Sequence, residues 1–160
     1  MPVFPDGFVL RPLCDVEREY FIDCMRRAVL MAVTPRERDM GDLWTDTILG
    51  IMETDLTVGG NEAFVLETDK KTKAGILWMG PSRDQYTCDT TGYILGIFLE
   101  EGFRGRGLGK TLMSAAEEWC RRRGFLSVTL NVGSGNENAR MFYDHSGFME
   151  RSTVMRKDLR

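Results

Sequence analysis

A glycine-rich loop between an apolar run and a helical pattern is the segment of this chain best suited to chemistry. The loop reads Arg104-Gly105-Arg106-Gly107-Leu108-Gly109 and follows the apolar run at 93–99. The length and the β-branched and aromatic content of that run predict a buried strand. Apolar residues then recur at steps of three and four, which predicts a helix over Leu108, Leu112, Ala115, Ala116 and Trp119.

A strand, a glycine loop and a helix in this order direct several backbone N–H groups towards one point. The first N–H groups of a helix have no acceptor within the helix, and the helix dipole adds partial positive charge behind them. Glycine allows an anion to approach the backbone without a Cβ in the way. The segment therefore predicts a phosphate-binding site.

Three phosphate-loop patterns compete for this segment. The P-loop pattern, Gly-x-x-x-x-Gly-Lys-Ser/Thr, is met only at its end, because Arg104 stands where its first glycine belongs. The dinucleotide-binding pattern, Gly-x-Gly-x-x-Gly, fails because Lys110 stands where its last glycine belongs. Both of these folds also normally carry the loop after their first strand, whereas here it lies past the middle of the chain. The third pattern, Arg/Gln-x-x-Gly-x-Gly/Ala, is met by Arg104, Gly107 and Gly109.

A second motif lies downstream at 130–148. It fits Asn-x-x-Ala-x-x-Φ-Tyr-x-x-x-Gly-Phe, where Φ is an apolar residue, with Asn136, Ala139, Phe142, Tyr143, Gly147 and Phe148 in register. The two motifs, in this order and at this spacing, resemble the GNAT superfamily of N-acetyltransferases over residues 75–148. The resemblance implies acetyl-coenzyme A (acetyl-CoA) as the co-substrate. It also implies an amine of a small molecule or of a peptide as the acetyl acceptor.

The resemblance also implies which residues hold acetyl-CoA. The main chain of Ile97, Phe98 and Leu99 is expected to bond its pantetheine arm. Asn136 is expected to contact it too, and also to cap the helix that begins at Glu137. The pyrophosphate is expected on the loop amides and beside the loop cations, which together are Arg104, Gly105, Arg106, Gly107, Leu108, Gly109 and Lys110.

Tyr143 occupies the position of the family's general acid. A phenol with a pKa near 10 suits a thiolate leaving group, whose pKa is about 8.5 by analogy with cysteine. The candidate general base is Glu100, which lies just past the apolar run. Asn131 stands where some relatives carry a glutamate, and other relatives deprotonate the amine through ordered water. His145, the lone histidine, is expected at the surface.

Composition narrows the class of protein. A chain of 160 residues predicts one domain spanning 1–160, and a net charge of −3 argues against general nucleic-acid binding. No apolar run approaches the ~18 residues of a membrane helix. Four scattered cysteines favour free thiols in a reducing cytoplasm over a zinc site. We therefore expect a cytoplasmic protein without a metal, a nucleic-acid partner or a membrane partner, and a homodimer stays open.

The pattern of elements predicts a mixed, twisted α/β sheet of six to seven strands flanked by about four helices, which is the GNAT fold. Strands are predicted at 8–13, 63–67, 74–79, 93–99, 127–132 and 149–155. Helices are predicted after Asp15, after Thr34-Pro35, at 108–123 and at 137–145. In the family, the first two helices wall the acceptor groove.

The region of the first two helices is acidic, and two function classes stay open. Its acidic residues are Glu37, Asp39, Asp42, Asp46, Glu53 and Asp55. This charge is compatible with a cationic acceptor, although a solvated helix face explains it at least as well. The first function class is an acetyl-CoA-dependent N-acetyltransferase, and the second is a non-catalytic acyl-CoA-binding sensor or scaffold. Tyr143 favours the enzyme, because a pure binder needs no phenol.

Overall fold

One mixed sheet carries the elements that form the candidate site. The computed structural model describes residues 4–34, 37, 43–56, 58–157 and 159. Its five strands lie side by side in chain order. The first four pair antiparallel, and the last pair is parallel. The strands are β1 (Phe8–Pro12), β2 (Glu62–Thr68), β3 (Lys73–Arg83), β4 (Thr90–Leu99) and β5 (Val128–Leu130).

Helices cover both faces of this sheet. Over the described residues they are α1 (Arg18–Ala32), α2 (Leu43–Asp55), α3 (Leu108–Arg122) and α4 (Glu137–His145). The period of two along β3 separates the two layers of core. Ile76 and Trp78 pack in a cluster with residues of α1 and α2, whereas Leu77 and Met79 pack in a cluster with α3. The sequence of β3 is therefore apolar almost throughout, because both of its faces are buried.

The predicted order of elements is confirmed from the first strand to the fourth helix. The predicted second helical region begins at Thr34, but Pro35 lies outside the described residues. The strand predicted at 74–79 is longer than expected, since β3 runs from Lys73 to Arg83. The mixed α/β architecture with four helices is thus as expected over the part of the chain that the structure describes.

The predicted last strand, at 149–155, is wrong. Residues 149–157 have no strand assignment, and their side chains are exposed. A strand here would carry Arg151 on one face and Glu150 on the other, so neither face could be buried without a charge. Glu150 instead pairs with Arg140, and Arg151 pairs with Asp84. The described sheet therefore has five strands rather than six to seven.

Candidate active site

Strand β4 leaves its neighbour β5 after three residues. The parallel ladder joins Gly92 to Val128, Tyr93 to Thr129 and Ile94 to Leu130, and it ends there. The register between β3 and β4 shifts at the next position, which leaves one extra residue, Leu95, in β4. A bulge of this kind bends a strand and increases its twist. Residues 96–99 then pair with β3 on one edge, and no described residue continues the β5 ladder along the other.

The side chains at the end of β4 belong to the core. Ile97 and Leu99 pack against the cluster that contains α3, and Phe98 is buried in the cluster that contains α1. The open edge offers a ligand the backbone groups of Ile97 and the N–H of Leu99, whose carbonyl already accepts from Arg104. The Phe98 backbone faces β3, because Glu100 N–H bonds to the Ala74 carbonyl and the direction of the backbone groups alternates along an antiparallel strand. This counts against the backbone contact predicted for Phe98. An extended, amide-containing molecule could add to the edge by main-chain hydrogen bonds, as a further strand does.

The loop after β4 forms a cradle at the start of α3. It turns through the short 3₁₀ helix Glu101–Phe103 and enters α3 at its N-cap residue, Gly107. Gly105 has φ +73° and Gly107 has φ +77°, values that favour glycine. No described heavy atom lies within 4 Å of the place where a Cβ would stand at either residue. The cradle is open to a ligand.

Backbone donors line this cradle. Within the described residues, no side chain caps the N-terminus of α3. The N–H groups of Leu108, Gly109 and Lys110 lie in the first turn, so they have no acceptor within the helix. The helix dipole places partial positive charge at the same end. An anion is the ligand that this arrangement suits.

Two of the predicted cations of the loop are held by aromatic rings and backbone. Arg104 donates from Nε to the Leu99 carbonyl oxygen at 2.9 Å. Its guanidinium carbon lies 5.4 Å from the centroid of the Phe98 ring. The guanidinium carbon of Arg106 lies 5.3 Å from the centroid of the Phe103 ring. Lys110 is exposed on the first turn of α3. The loop therefore adds positive charge to the backbone donors.

Helix α4 lies against the start of α3 at Gly109. A Cβ at Gly109 would stand 3.3 Å from the Phe142 ring, so a larger residue would press the two helices apart. Tyr143 follows, half-buried, with its ring centroid 5.4 Å from that of Phe142 and 5.7 Å from that of Phe148. Burial raises the pKa of the Tyr143 phenol. The phenol is therefore neutral, and able to donate a proton, at neutral pH.

Asn136 caps α4, as the sequence suggested. Its Oδ1 accepts a hydrogen bond from the Ala139 backbone N–H at 3.2 Å. This bond uses the carbonyl of the side-chain amide and leaves the NH₂ group as a donor. The second role predicted for Asn136, contact with acetyl-CoA, stays a prediction.

Glu100 is held by an arginine that the sequence analysis did not identify. Arg27, on α1, donates to both carboxylate oxygens, with Nη1 to Oε2 at 2.8 Å and Nη2 to Oε1 at 2.7 Å. The Arg27 guanidinium lowers the pKa of the Glu100 carboxyl. A carboxylate with a lowered pKa is a weaker proton acceptor. Glu100 as the general base stays a prediction, and this ion pair counts against it.

Two acidic residues in the region of the first two helices, Glu37 and Asp46, make local contacts. Glu37 accepts from the Thr34 backbone N–H at 2.8 Å, and Asp46 pairs with Arg26 at 3.4 Å. Asp39 and Asp42 lie outside the described residues. These two contacts support the solvated-face interpretation of the acidic region.

His145 is exposed, as predicted, with Nδ1 2.6 Å from the Met141 carbonyl oxygen. Across the part of the chain that the structure describes, no group of three His, Cys, Asp or Glu side chains could hold a metal ion. No helix in that part is both long and apolar enough to cross a membrane.

Comparison with known proteins agrees with the geometry. Residues 22–148 match the acetyltransferase (GNAT) family. The chain is 30% identical over 94 residues to the uncharacterized N-acetyltransferase YycN of Bacillus subtilis, a match that spans 59% of this chain and 59% of that protein. The chain thus matches less than two thirds of the length of this curated relative.

Solved structures show the same fold. A GCN5-related N-acetyltransferase from Ralstonia eutropha superimposes with a TM-score of 0.74 at 22% identity, over 96% of this chain and 99% of that one. AAC(6′)-Iy, solved in complex with the bisubstrate analog CoA-S-monomethyl-acetylneamine, gives a TM-score of 0.70 at 20% identity, over 97% of this chain and 99% of that one. Since the family match covers most of the chain, and since the fold and the glycine loop agree with it, this protein belongs to the acetyltransferase (GNAT) family.

Proposed function

We propose that this protein transfers the acetyl group of acetyl-CoA to an amine of a small molecule or a peptide. The observation that carries the proposal is the loop 100–107, which joins the open edge of β4 to the uncapped N-terminus of α3. Coenzyme A has an amide-containing arm attached to a pyrophosphate. The arm suits the outward backbone groups of Ile97 and Leu99, and the pyrophosphate suits the loop donors from Gly105 to Lys110.

The proposed reaction is a direct attack in a ternary complex. The neutral amine nitrogen attacks the thioester carbonyl carbon, and an N–C bond forms. The C–S bond then breaks, and the departing thiolate takes the phenol proton of Tyr143. The attacking nitrogen releases one proton to water as the amide forms, and the Tyr143 phenolate regains a proton from water. The products are the N-acetylated amine and free coenzyme A.

In this proposal the amine loses its proton to water rather than directly to Glu100. Both oxygens of Glu100 already accept from Arg27, and the pKa of the carboxyl is lowered. Asn131 supplies no carboxylate on the neighbouring segment. A water-relayed loss of the proton requires no base with a pKa near neutral. The identity of the amine, a homodimer and a cytoplasmic location stay predictions from the sequence.

Calorimetric titration tests which ligand the loop takes. We expect the protein to bind acetyl-CoA at one site and to bind ATP far more weakly. Binding of ATP without binding of acetyl-CoA would contradict the proposal and would favour the P-loop pattern. Binding of acetyl-CoA without turnover on any amine would favour the sensor or scaffold.

A further inference from the structure

We infer that Arg27, on the first helix, is a positioning residue for acetyl-CoA binding and acts on the glycine loop through Glu100 and Phe98. The inference rests on the proposed function, because it takes the loop to be the acetyl-CoA site. Arg27 lies on α1, which packs on the opposite face of the sheet from α3. Nothing in the motif that predicts the loop points to this residue.

Glu100 is the joint between β4 and the loop. Its backbone N–H donates to the Ala74 carbonyl oxygen at 2.9 Å, and its own carbonyl accepts from the Phe103 N–H at 2.9 Å. Its side chain is held by the two parallel bonds from Arg27. The joint is thus fixed by the sheet through its backbone and by α1 through its side chain.

Phe98 provides a second connection between Arg27 and the loop. The guanidinium carbon of Arg27 lies 4.6 Å from the centroid of the Phe98 ring, and that of Arg104 lies 5.4 Å from the same centroid. Phe98 is only 6% exposed, so these cation–π contacts form on a largely desolvated ring. Arg104 also donates to the Leu99 carbonyl oxygen. The first residue of the Arg-x-x-Gly-x-Gly motif therefore shares its aromatic contact with Arg27.

Arg26, the residue before Arg27, forms an ion pair that is typical of an exposed helix surface. Arg26 makes a single contact with Asp46 at 3.4 Å, and the two side chains are 45% and 62% exposed. Exposed pairs of this kind contribute little. Arg27 has a similarly exposed side chain, at 39%, and also pairs with Asp23 at 2.9 Å, but it makes a two-bond pair with Glu100, whose side chain is only 24% exposed. A bidentate pair fixes geometry as well as charge.

Loss of Arg27 should therefore weaken acetyl-CoA binding by making the glycine loop less ordered. A loop released from Glu100 and Phe98 samples more conformations, and binding must then order it at a cost in free energy. Binding of the acceptor amine does not require an ordered glycine loop in this proposal. We expect the dissociation constant of acetyl-CoA to rise while the KM of the acceptor at saturating acetyl-CoA is unchanged.

Titration of acetyl-CoA into three variants tests the inference. Arg27→Met, which removes the charge and both bonds, should raise the dissociation constant roughly tenfold, or about 1.4 kcal/mol. Arg27→Lys should raise it by a smaller factor, because lysine keeps the charge but cannot form two parallel bonds in a fixed plane. Arg26→Met, the matched control one residue away, should bind as the wild type does.

A double variant tests the route through Glu100. If Arg27 acts through this carboxylate, the effects of Arg27→Met and Glu100→Gln should not be additive. The double variant should raise the dissociation constant of acetyl-CoA by clearly less than the product of the two single-variant factors. Wild-type affinity in Arg27→Met, fully additive effects, or an equal loss in Arg26→Met would each overturn the inference. Should the methionine variant fail to fold, wild-type affinity in Arg27→Lys would overturn it instead. Failure of the wild type itself to bind acetyl-CoA would refute the proposed function and not this inference alone.

Discussion

At the scale of single residues, the environment of Tyr143 decides whether it can serve as an acid. Its ring lies between two other aromatic rings, and burial raises its pKa. The raised pKa keeps the phenol protonated at neutral pH, where a thiolate with a pKa of about 8.5 needs a proton. The same shift makes the phenol a weaker acid. Its contribution therefore depends on its position beside the leaving group rather than on acidity.

Tyr143→Phe should lower kcat by roughly 10²-fold, the lower end for general acid catalysis. The ring and its packing remain, so the affinity for acetyl-CoA should not change. Steady-state kinetics together with calorimetry measure both quantities. Tyr86→Phe is the matched control, because Tyr86 is exposed in the turn between β3 and β4. An unchanged kcat in Tyr143→Phe would make Tyr143 a packing residue.

The pH dependence of turnover should follow the ionisation of the acceptor amine rather than that of Glu100. A primary amine with a pKa near 10.4 is mostly protonated at pH 7, so the rate should rise between about pH 6 and 8.5 as the neutral amine accumulates. The pKa of Glu100 lies below its ordinary value, so this carboxylate is ionised throughout that range. The fall that follows ionisation of Tyr143 should come only above its ordinary value of 10.

Glu100→Gln separates the two possible proton acceptors. With water as the acceptor, the glutamine variant should keep its kcat within a few-fold at saturating acetyl-CoA, even if its affinity for acetyl-CoA is lower. Because Glu100 is already ionised across this pH range, its loss as a base would lower kcat by roughly 10²-fold without changing the shape of the profile, and that result would establish Glu100 as the base.

Sequence reasoning at this scale succeeded where a residue belongs to a local motif and missed a contact that forms only in the fold. Asn136 caps α4 because a cap lies next to the helix that it serves. Arg27 and Glu100 are 73 residues apart, and nothing local to either residue indicates the other. A step of three from the buried Cys24 places Arg27 on the same side of α1, but a lone arginine there could also face solvent.

At the scale of elements, the loop and the start of α3 form the proposed phosphate site. Gly107→Glu should weaken acetyl-CoA binding at least tenfold, about 1.4 kcal/mol, because a carboxylate would enter the cradle and repel the pyrophosphate. It should also lower stability by roughly 1–3 kcal/mol, since a residue with a Cβ is strained at positive φ. Calorimetric titration and chemical unfolding measure the two effects.

Gly124→Glu controls for the strain. Gly124 follows α3 with φ +73°, and no described atom lies within 4 Å of a Cβ placed there. This variant should lose similar stability and keep its affinity for acetyl-CoA. Equal affinity in a folded Gly107→Glu variant would contradict the assignment of the loop.

The elements could be predicted where one local pattern is enough. The periodicity of α3 and the motif that covers α4 placed both helices, and both are confirmed. The bulge at Leu95, which opens the edge of β4, depends on the register with β3; the adjacent Gly96 is compatible with a bulge but does not fix where the register shifts. The strand predicted at 149–155 failed because Glu150 and Arg151 would place a charge on each of its faces, and these charges pair with Arg140 and Asp84 instead.

At the scale of the whole molecule, a charge cluster links β1 to β2 and to the turn before α1. Arg11 donates to both carboxylate oxygens of Glu17, at 2.7 and 2.8 Å, and to Glu67 at 2.8 Å. The Arg11 guanidinium is the main cause that lowers the pKa of each carboxyl from 4.5 to about 2. Stability from these groups is present above the ordinary pKa and is lost as the pH falls through the lowered one.

The free energy of unfolding should therefore fall as the pH drops from about 4.5 to about 2. Arg11→Met should be less stable than the wild type at pH 7, because two poorly solvated carboxylates lose their guanidinium and keep only a lysine each, Lys73 beside Glu17 and Lys71 beside Glu67. The difference should narrow towards pH 2, as both carboxylates become protonated. Urea unfolding from pH 2 to pH 7 measures this.

Arg121→Met is the control, because it removes an exposed ion pair rather than one with buried carboxylates. Arg121 pairs with Glu117 on the exposed surface of α3, and its side chain is 64% exposed. This variant should stay within about 0.5 kcal/mol of the wild type at every pH. A constant difference between wild type and Arg11→Met across the pH range would show that the cluster does not stabilise through charge.

Acetyl transfer itself is the property to measure first. The protein is incubated with acetyl-CoA and each member of a panel of amines that includes a polyamine, an amino sugar and a peptide with a free amino group. Free thiol is followed over time, and the acetylated amine is identified by mass spectrometry. Thiol release should require both substrates for at least one amine, match the acetylated product mole for mole, and drop in Tyr143→Phe. Tight binding of acetyl-CoA with no thiol release on any amine would contradict the transferase and leave a module that only binds acyl-CoA.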